Sequence, residues 1–80
     1  MKLPRDLSGA ELAKSLSALG YRVTRQTGSH LRLTTSEHGE HHVSVPAHKV
    51  LPLGTLRSIL REVARHAGLT PEEIVRRLFG

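Results

Sequence analysis

The first apolar pattern in the chain has the period of a helix. Its members are Leu12, Leu16 and Leu19. Ser8 precedes them, and Glu11 follows it three residues on, which is the spacing of a capping box. Gly20 is placed where a glycine commonly ends a helix. The pattern therefore predicts a first helix from Gly9 to Leu19.

After Gly20 the apolar period changes to two, which is typical of strands. Apolar side chains alternate with polar ones in three short runs, carried by Tyr21 and Val23, by Leu31 and Leu33, and by Val43 and Val45. A turn at Thr27-Gly28-Ser29 and a polar loop from Ser36 to Glu40 separate the runs, and Pro46 ends the third. Such short links predict three consecutive antiparallel strands.

A second helical stripe follows the linker Ala47–Pro52. Its apolar members are Leu56, Ile59, Leu60, Val63, Ala64 and Ala67. We expect Gly54 or Thr55 to cap this helix, and Gly68 to end it. Thr70-Pro71-Glu72-Glu73 has the cap, proline and glutamate of another helix start. The fold class predicted is α+β: an α-β-β-β-α order with both main helices on one face of a three-stranded antiparallel sheet, plus a short C-terminal helix.

Composition limits the possible functions. The 80 residues are expected to form one domain, 1–80, without disulfides or thiolate metal sites, because cysteine is absent. No apolar run has membrane-spanning length and no signal-peptide core precedes the first helix, so we expect a cytoplasmic protein. The net charge of +5, carried mostly by arginine, favours a polyanionic partner, although many soluble domains are basic without one.

Strand alternation assigns His30 to the face of the sheet that the helices leave open. If Leu31 and Leu33 point to the helices, then His30 and Arg32 point to solvent. The same parity places Thr24, Thr34, His42 and Ser44 on that open face and Tyr21 in the core. A lone exposed histidine is usually an ordinary surface residue, so this placement alone does not assign it a function.

Two further patterns admit more than one interpretation. His38, His41 and His42 could bind zinc, but alternation points His41 and His42 to opposite faces, which favours a hairpin with no metal site. Arg57, Arg61 and Arg65 repeat every fourth residue on the second helix. They could follow a phosphate backbone, dock onto an acidic partner, or form a solvated face.

Three segments in order, Gly28-Ser29-His30, Val45-Pro46-Ala47-His48-Lys49 and Leu53 to Leu60, resemble the HicA toxin family of toxin–antitoxin systems. The resemblance runs from Leu3 to about Leu78. It implies a fold like that of double-stranded-RNA-binding domains. It also implies an endoribonuclease that cleaves mRNA, and a HicB-type antitoxin that covers the active surface. Because an imidazole can transfer protons near neutral pH, we expect the reaction to need no metal or cofactor. We expect such a toxin to be monomeric when free and to form a hetero-oligomer with its antitoxin.

The resemblance assigns His30 as the catalytic residue, acting as general acid or base. Gly28, Ser29, Arg32, His48 and Lys49 are candidates for RNA binding. His48 and Lys49 could instead supply the second proton transfer or belong to a solvated connection. One alternative is a non-catalytic double-stranded-RNA-binding module, which needs the basic face but not His30. Another is an adaptor whose basic surface meets an acidic protein. With only one Tyr and one Phe in the chain, base stacking is a poor fit, and recognition of shape and backbone a better one.

Overall fold

The computed structural model describes residues 2–80, and its elements follow the predicted α+β order. They are α1 (Gly9–Leu16), a 3-10 turn (Ser17–Leu19), β1 (Arg22–Thr27), β2 (His30–Thr35), β3 (His41–Pro46), α2 (Leu53–Ala67) and α3 (Pro71–Phe79). The strands form one antiparallel sheet in the order β1-β2-β3. The α-β-β-β-α layout with a further C-terminal helix is therefore confirmed.

Local capping explains where α1 and α3 begin. The Ser8 hydroxyl accepts a hydrogen bond from the Glu11 N–H at 3.0 Å, and the Glu11 carboxylate accepts one from the Ser8 N–H at 2.9 Å. Thr70 and Glu73 form the equivalent box at α3. These hydrogen bonds hold the pKa of both glutamates below the ordinary value. Both predicted capping boxes are thus present.

The start predicted for α2 was wrong. The helix begins at Leu53 and its N-cap residue is Pro52, not Gly54 or Thr55. Pro52 has φ −58° and ψ 143°, and its carbonyl already accepts the first helical bond, from the Leu56 N–H at 3.0 Å. Proline removes one of the four N–H groups that a helix start leaves unpaired, and the next two, at Leu53 and Gly54, belong to residues exposed to solvent.

The core lies between one face of the sheet and the helices. Leu31, Leu33, Val43 and Val45 are buried there as alternation predicts. They pack with the apolar stripes of the helices, whose fully buried members are Leu12, Leu16, Leu56, Leu60, Val63 and Ile74. Each such side chain stabilises the fold by about 1.5–3 kcal/mol relative to an exposed position. This packing fixes β2 and β3 and thereby the direction of their polar side chains.

Strand β1 departs from the predicted alternation. Tyr21 is buried as expected, but Val23 is 51% exposed although it lies opposite the buried Leu33. The strand forms an edge of the sheet, and all six of its residues are exposed, so the helices do not cover its inner side. The register also shifts at Thr24, where β1 carries one residue more than β2, as in a β-bulge.

Candidate functional site

The exposed side of the sheet presents three rows of side chains across the strands, which we call the open face. The rows are Thr27–His30–Pro46, Arg25–Arg32–Ser44 and Arg22–Thr34–His42. Residues directly opposite each other in antiparallel strands point to the same side of the sheet. The predicted placement of His30, Arg32, His42 and Ser44 on this side is therefore confirmed.

His30 is the first residue of β2 and directly follows a two-residue turn. Gly28 has φ +55° and Ser29 is not in the left-handed region, the combination that a type II′ hairpin turn requires. The Ser29 carbonyl accepts a hydrogen bond from the Ala47 N–H at 2.6 Å, which ties the turn to the linker after β3. The His30 side chain is exposed and has no hydrogen-bond partner within residues 2–80. Its ring nitrogens are thus free to form hydrogen bonds with a ligand.

Arg25 is a member of the open face that sequence reasoning missed. Simple alternation from Tyr21 would point Arg25 into the core, but the extra residue at Thr24 brings it directly opposite Arg32. Like charges facing each other across strands are destabilising. The signal available in the sequence was a charged side chain at a position that parity assigned to the core, a conflict that a bulge resolves.

The basic side chains are not neutralised within the protein. In residues 2–80 the two contacts between cationic groups and carboxylates both involve histidine, and no Lys or Arg side chain forms an ion pair. Arg22, Arg25 and Arg32 therefore keep their full charge on one small surface. Such a surface attracts anions.

A chain of hydrogen bonds crosses the far end of the open face. His42 Nε2 donates to the Glu40 carboxylate at 2.9 Å, and His42 Nδ1 lies 2.7 Å from the Thr34 hydroxyl. The Thr34 hydroxyl in turn lies 2.9 Å from that of Thr24. Both ring nitrogens of His42 are thus engaged, in contrast to those of His30.

The open face continues into an open groove of about 990 Å³ that is lined by all three strands and by α2. Its basic and imidazole side chains are those of Arg25, His30, Arg32 and His42, and α2 contributes Gly54, Thr55, Ser58, Ile59 and Glu62. The groove brings His30 and the two facing arginines together with hydroxyl groups from α2. Its volume is at the upper end of the range of about 300–1,000 Å³ that is usual for ligand sites.

The linker candidates His48 and Lys49 lie outside the groove lining. Both are exposed. Besides the bond to Ser29, two hydrogen bonds fix the linker backbone, from the Gly9 N–H to the His48 carbonyl at 2.9 Å and from the Leu51 N–H to the Leu7 carbonyl at 2.7 Å. The structure therefore holds the backbone of His48 one residue from the contact with Ser29, without directing either side chain into the groove.

Behind the open face, His41 joins a partly buried cluster that the sequence did not reveal. The Tyr21 hydroxyl lies 2.8 Å from His41 Nδ1, and the His41 ring stacks on that of His66 with centroids 4.3 Å apart. His66 Nε2 lies 3.0 Å from the carbonyl oxygens of both Glu37 and Gly39; since these only accept, Nε2–H donates to both. The cluster fixes the β2–β3 loop to the end of α2.

The surroundings of the cluster change its acid–base properties. Burial, and then the neighbouring His66, lower the pKa of His41. Burial raises the pKa of Tyr21 to about 12. His41 and His42 lie on opposite sides of β3, as alternation predicts. Within residues 2–80 no three His, Cys, Asp or Glu side chains are arranged to hold a metal ion.

Comparison with known proteins adds a family to this geometry. The model of the HicA toxins of bacterial toxin–antitoxin systems matches residues 9–69, which is most of the chain. The chain belongs to the HicA toxin family. Neither the curated proteins nor the solved structures gave a match.

The HicA match includes every element that builds the open face. It runs from the first residue of α1 to the residue before the Thr70 cap, so α3 lies outside it. As a HicA-family member, the chain is the toxin of a toxin–antitoxin system, and such a toxin has an antitoxin partner. No helix within residues 2–80 is long and apolar enough to cross a membrane.

Proposed function

We propose that this HicA-family toxin is a metal-independent endoribonuclease that cleaves mRNA, with His30 as the general acid or base. The observation that carries the proposal is the free imidazole of His30 beside arginines that no carboxylate neutralises. A histidine that exchanges protons with a substrate needs a free ring nitrogen. His30 has one, whereas both nitrogens of His42 are engaged.

RNA supplies its own nucleophile, so the protein needs only to bind the phosphate and move protons. In the proposed step His30 takes the proton of the 2′-hydroxyl as that oxygen attacks phosphorus. The bond from phosphorus to the 5′-oxygen breaks, and that oxygen receives a proton from the imidazolium or from water. Arg32 and Arg25 bind the non-bridging oxygens, where negative charge develops.

The turn before His30 has a supporting part in this proposal. Gly28 has no neighbouring atom within 4 Å of where a side chain would begin, so the turn is open to an approaching strand. In this proposal Ser29, the residue before His30, donates its hydroxyl to the RNA, while His48 and Lys49 bind phosphates outside the groove. The single free imidazole in the groove is consistent with a slow enzyme.

Cleavage separates this proposal from a non-catalytic double-stranded-RNA-binding module. We expect wild-type protein to cleave mRNA in the presence of EDTA and to arrest growth. We expect His30→Ala to do neither, although it still folds and still binds its antitoxin. His38→Asn is the matched control, because His38 is exposed in the β2–β3 loop with φ +59°, a conformation that asparagine tolerates. A His30→Ala protein that remains toxic would show that the assignment is wrong. RNA binding without cleavage by the wild type would favour the module.

We propose that the antitoxin is of the HicB type and covers the open face, which blocks access to His30. An acidic surface would complement Arg22, Arg25 and Arg32. In that arrangement the free toxin is a monomer that acts on mRNA in the cytoplasm, and the bound toxin is part of a hetero-oligomer. Competition between RNA and antitoxin for the toxin tests the arrangement, because simultaneous binding would contradict it.

A further inference from the structure

We infer that an arginine row on α2, formed by Arg57, Arg61 and Arg65, is a second RNA-binding surface that extends the groove away from His30. The three side chains recur every fourth residue and are exposed. Four residues advance a helix by about 6 Å and return to nearly the same side. Each step of four residues also turns the helix by about 40°, so the arginine row winds gradually along the exposed side of α2.

The arginine row carries a charge that α2 does not balance. Glu62 is the acidic residue of this helix, and its carboxylate lies 3.8 Å from His41 Nε2, toward the sheet. Arg65 is three residues from Glu62 but forms no ion pair with it. Like charges four residues apart on a helix repel each other and destabilise it. An anionic partner would offset this repulsion.

The helix dipole accounts for only part of the row. Arg65 lies in the last turn, where a cation is favourable. Arg57 is the fifth residue of α2, outside both terminal turns, so the dipole does not favour its charge. A phosphate group bound beside Arg57 and Arg61 would offset their mutual repulsion.

The arginine row borders the groove. Ser58 and Glu62 form part of the groove wall. Arg61 lies three residues after Ser58, and Arg65 lies three residues after Glu62. These two arginines are therefore next to the groove wall on the helix surface. A strand that leaves the groove over this wall therefore meets the row, and one continuous polyanion can contact both Arg32 and Arg61. This continuity favours RNA over a separate acidic protein as the occupant. The inference rests on the proposed function in that the groove is taken to hold RNA.

The salt dependence of RNA binding tests the inference. The probe is a labelled single-stranded RNA long enough to cover both surfaces, and the parent protein is His30→Ala, so that binding is measured without cleavage. Each phosphate contact contributes about 0.7 to the slope of log affinity against log salt for single strands. Replacing all three row arginines by alanine is expected to reduce the slope by about 2, so over a fourfold range of salt the variant loses roughly 20-fold less affinity than the parent.

A control removes the same charge elsewhere. Lys14, Arg76 and Arg77 are exposed on α1 and α3, and replacing them by alanine also removes three positive charges. This control is expected to change the slope by much less than the row variant. Equal slopes for the two triple variants would overturn this inference and leave the proposed function in place. A row variant that keeps the slope of the parent but no longer binds the antitoxin would do the same. If the His30→Ala parent itself fails to bind RNA at low salt, that result contradicts both the inference and the proposed function.

Discussion

Arg25 and Arg32 face each other across β1 and β2, and this pairing should cost stability. We expect Arg25→Thr to stabilise the fold because it removes the repulsion and keeps a residue suited to a strand. Two unit charges about 6 Å apart in water repel by roughly 0.7 kcal/mol, and opposed like charges in sheets fall in the range of about 0.2–1 kcal/mol. We therefore expect a gain of about 0.5 kcal/mol.

Urea unfolding followed by circular dichroism measures this gain. With a denaturant slope of about 1 kcal/mol per molar for a chain of this size, the midpoint should rise by about 0.5 M. Arg22→Thr is the matched control, because Arg22 lies on the same strand and face but opposite Thr34, which is uncharged. The difference between the two variants isolates the cross-strand repulsion. The same Arg25→Thr change should weaken RNA binding and lower its salt slope by about 0.7.

Salt provides the decisive comparison. At about 1 M salt the screening length falls to about 3 Å, so the advantage of Arg25→Thr over Arg22→Thr should disappear. If Arg25→Thr lowers the midpoint, or if its gain persists unchanged at high salt, the two guanidinium groups do not repel as their register implies. A stability gain coupled to a binding loss would indicate that the open face is adapted to a polyanion at the expense of the fold.

Two further predictions concern the supports behind the site. Gly9→Ala should destabilise the protein by about 1–3 kcal/mol, because its Cβ would overlap the Pro46 carbonyl oxygen, whereas Gly54→Ala, with nothing within 4 Å, should be neutral or stabilise by up to about 1 kcal/mol. Equal midpoints for the two variants in urea would contradict this packing. Because the folded pKa of His41 lies below the ordinary 6.5, its neutral form is favoured; this contribution is present above pH 6.5 and is lost as pH falls through the folded pKa. The free energy of unfolding between pH 7.5 and 5.5 should therefore fall more for wild type than for His41→Gln, and parallel falls would refute the assignment.

Local signals sufficed for most of the fold. The capping boxes at Ser8 and Thr70 and the alternation through β2 and β3 depend on residues close in sequence, and each predicted element exists. Alternation also placed His30 and Arg32 on the open face, since a core on one side of a strand leaves the other side polar. The α2 start was missed because Pro52 caps through its backbone alone, and no side chain marks it.

The features that the sequence did not yield depend on contacts between distant residues. The bulge at Thr24 is a property of the pairing between β1 and β2, so Arg25 could not be placed by counting from Tyr21. Val23 is exposed because the helices do not extend over the edge strand β1. His41 stacks on His66, which lies 25 positions later in the chain, and the residues around each histidine do not indicate this contact.

Single-turnover cleavage of one defined RNA tests the central claim most directly. Wild type and His30→Ala are compared on that RNA and on the same RNA with a single 2′-deoxy nucleotide at the cleaved position. Loss of a general acid or base lowers a rate by about 10²–10⁴-fold, so we expect a fall of that size for His30→Ala. We also expect no cleavage of the 2′-deoxy substrate by either protein. A His30→Ala protein that cleaves at the wild-type rate, or a 2′-deoxy substrate that is cut as fast as RNA, would contradict the account.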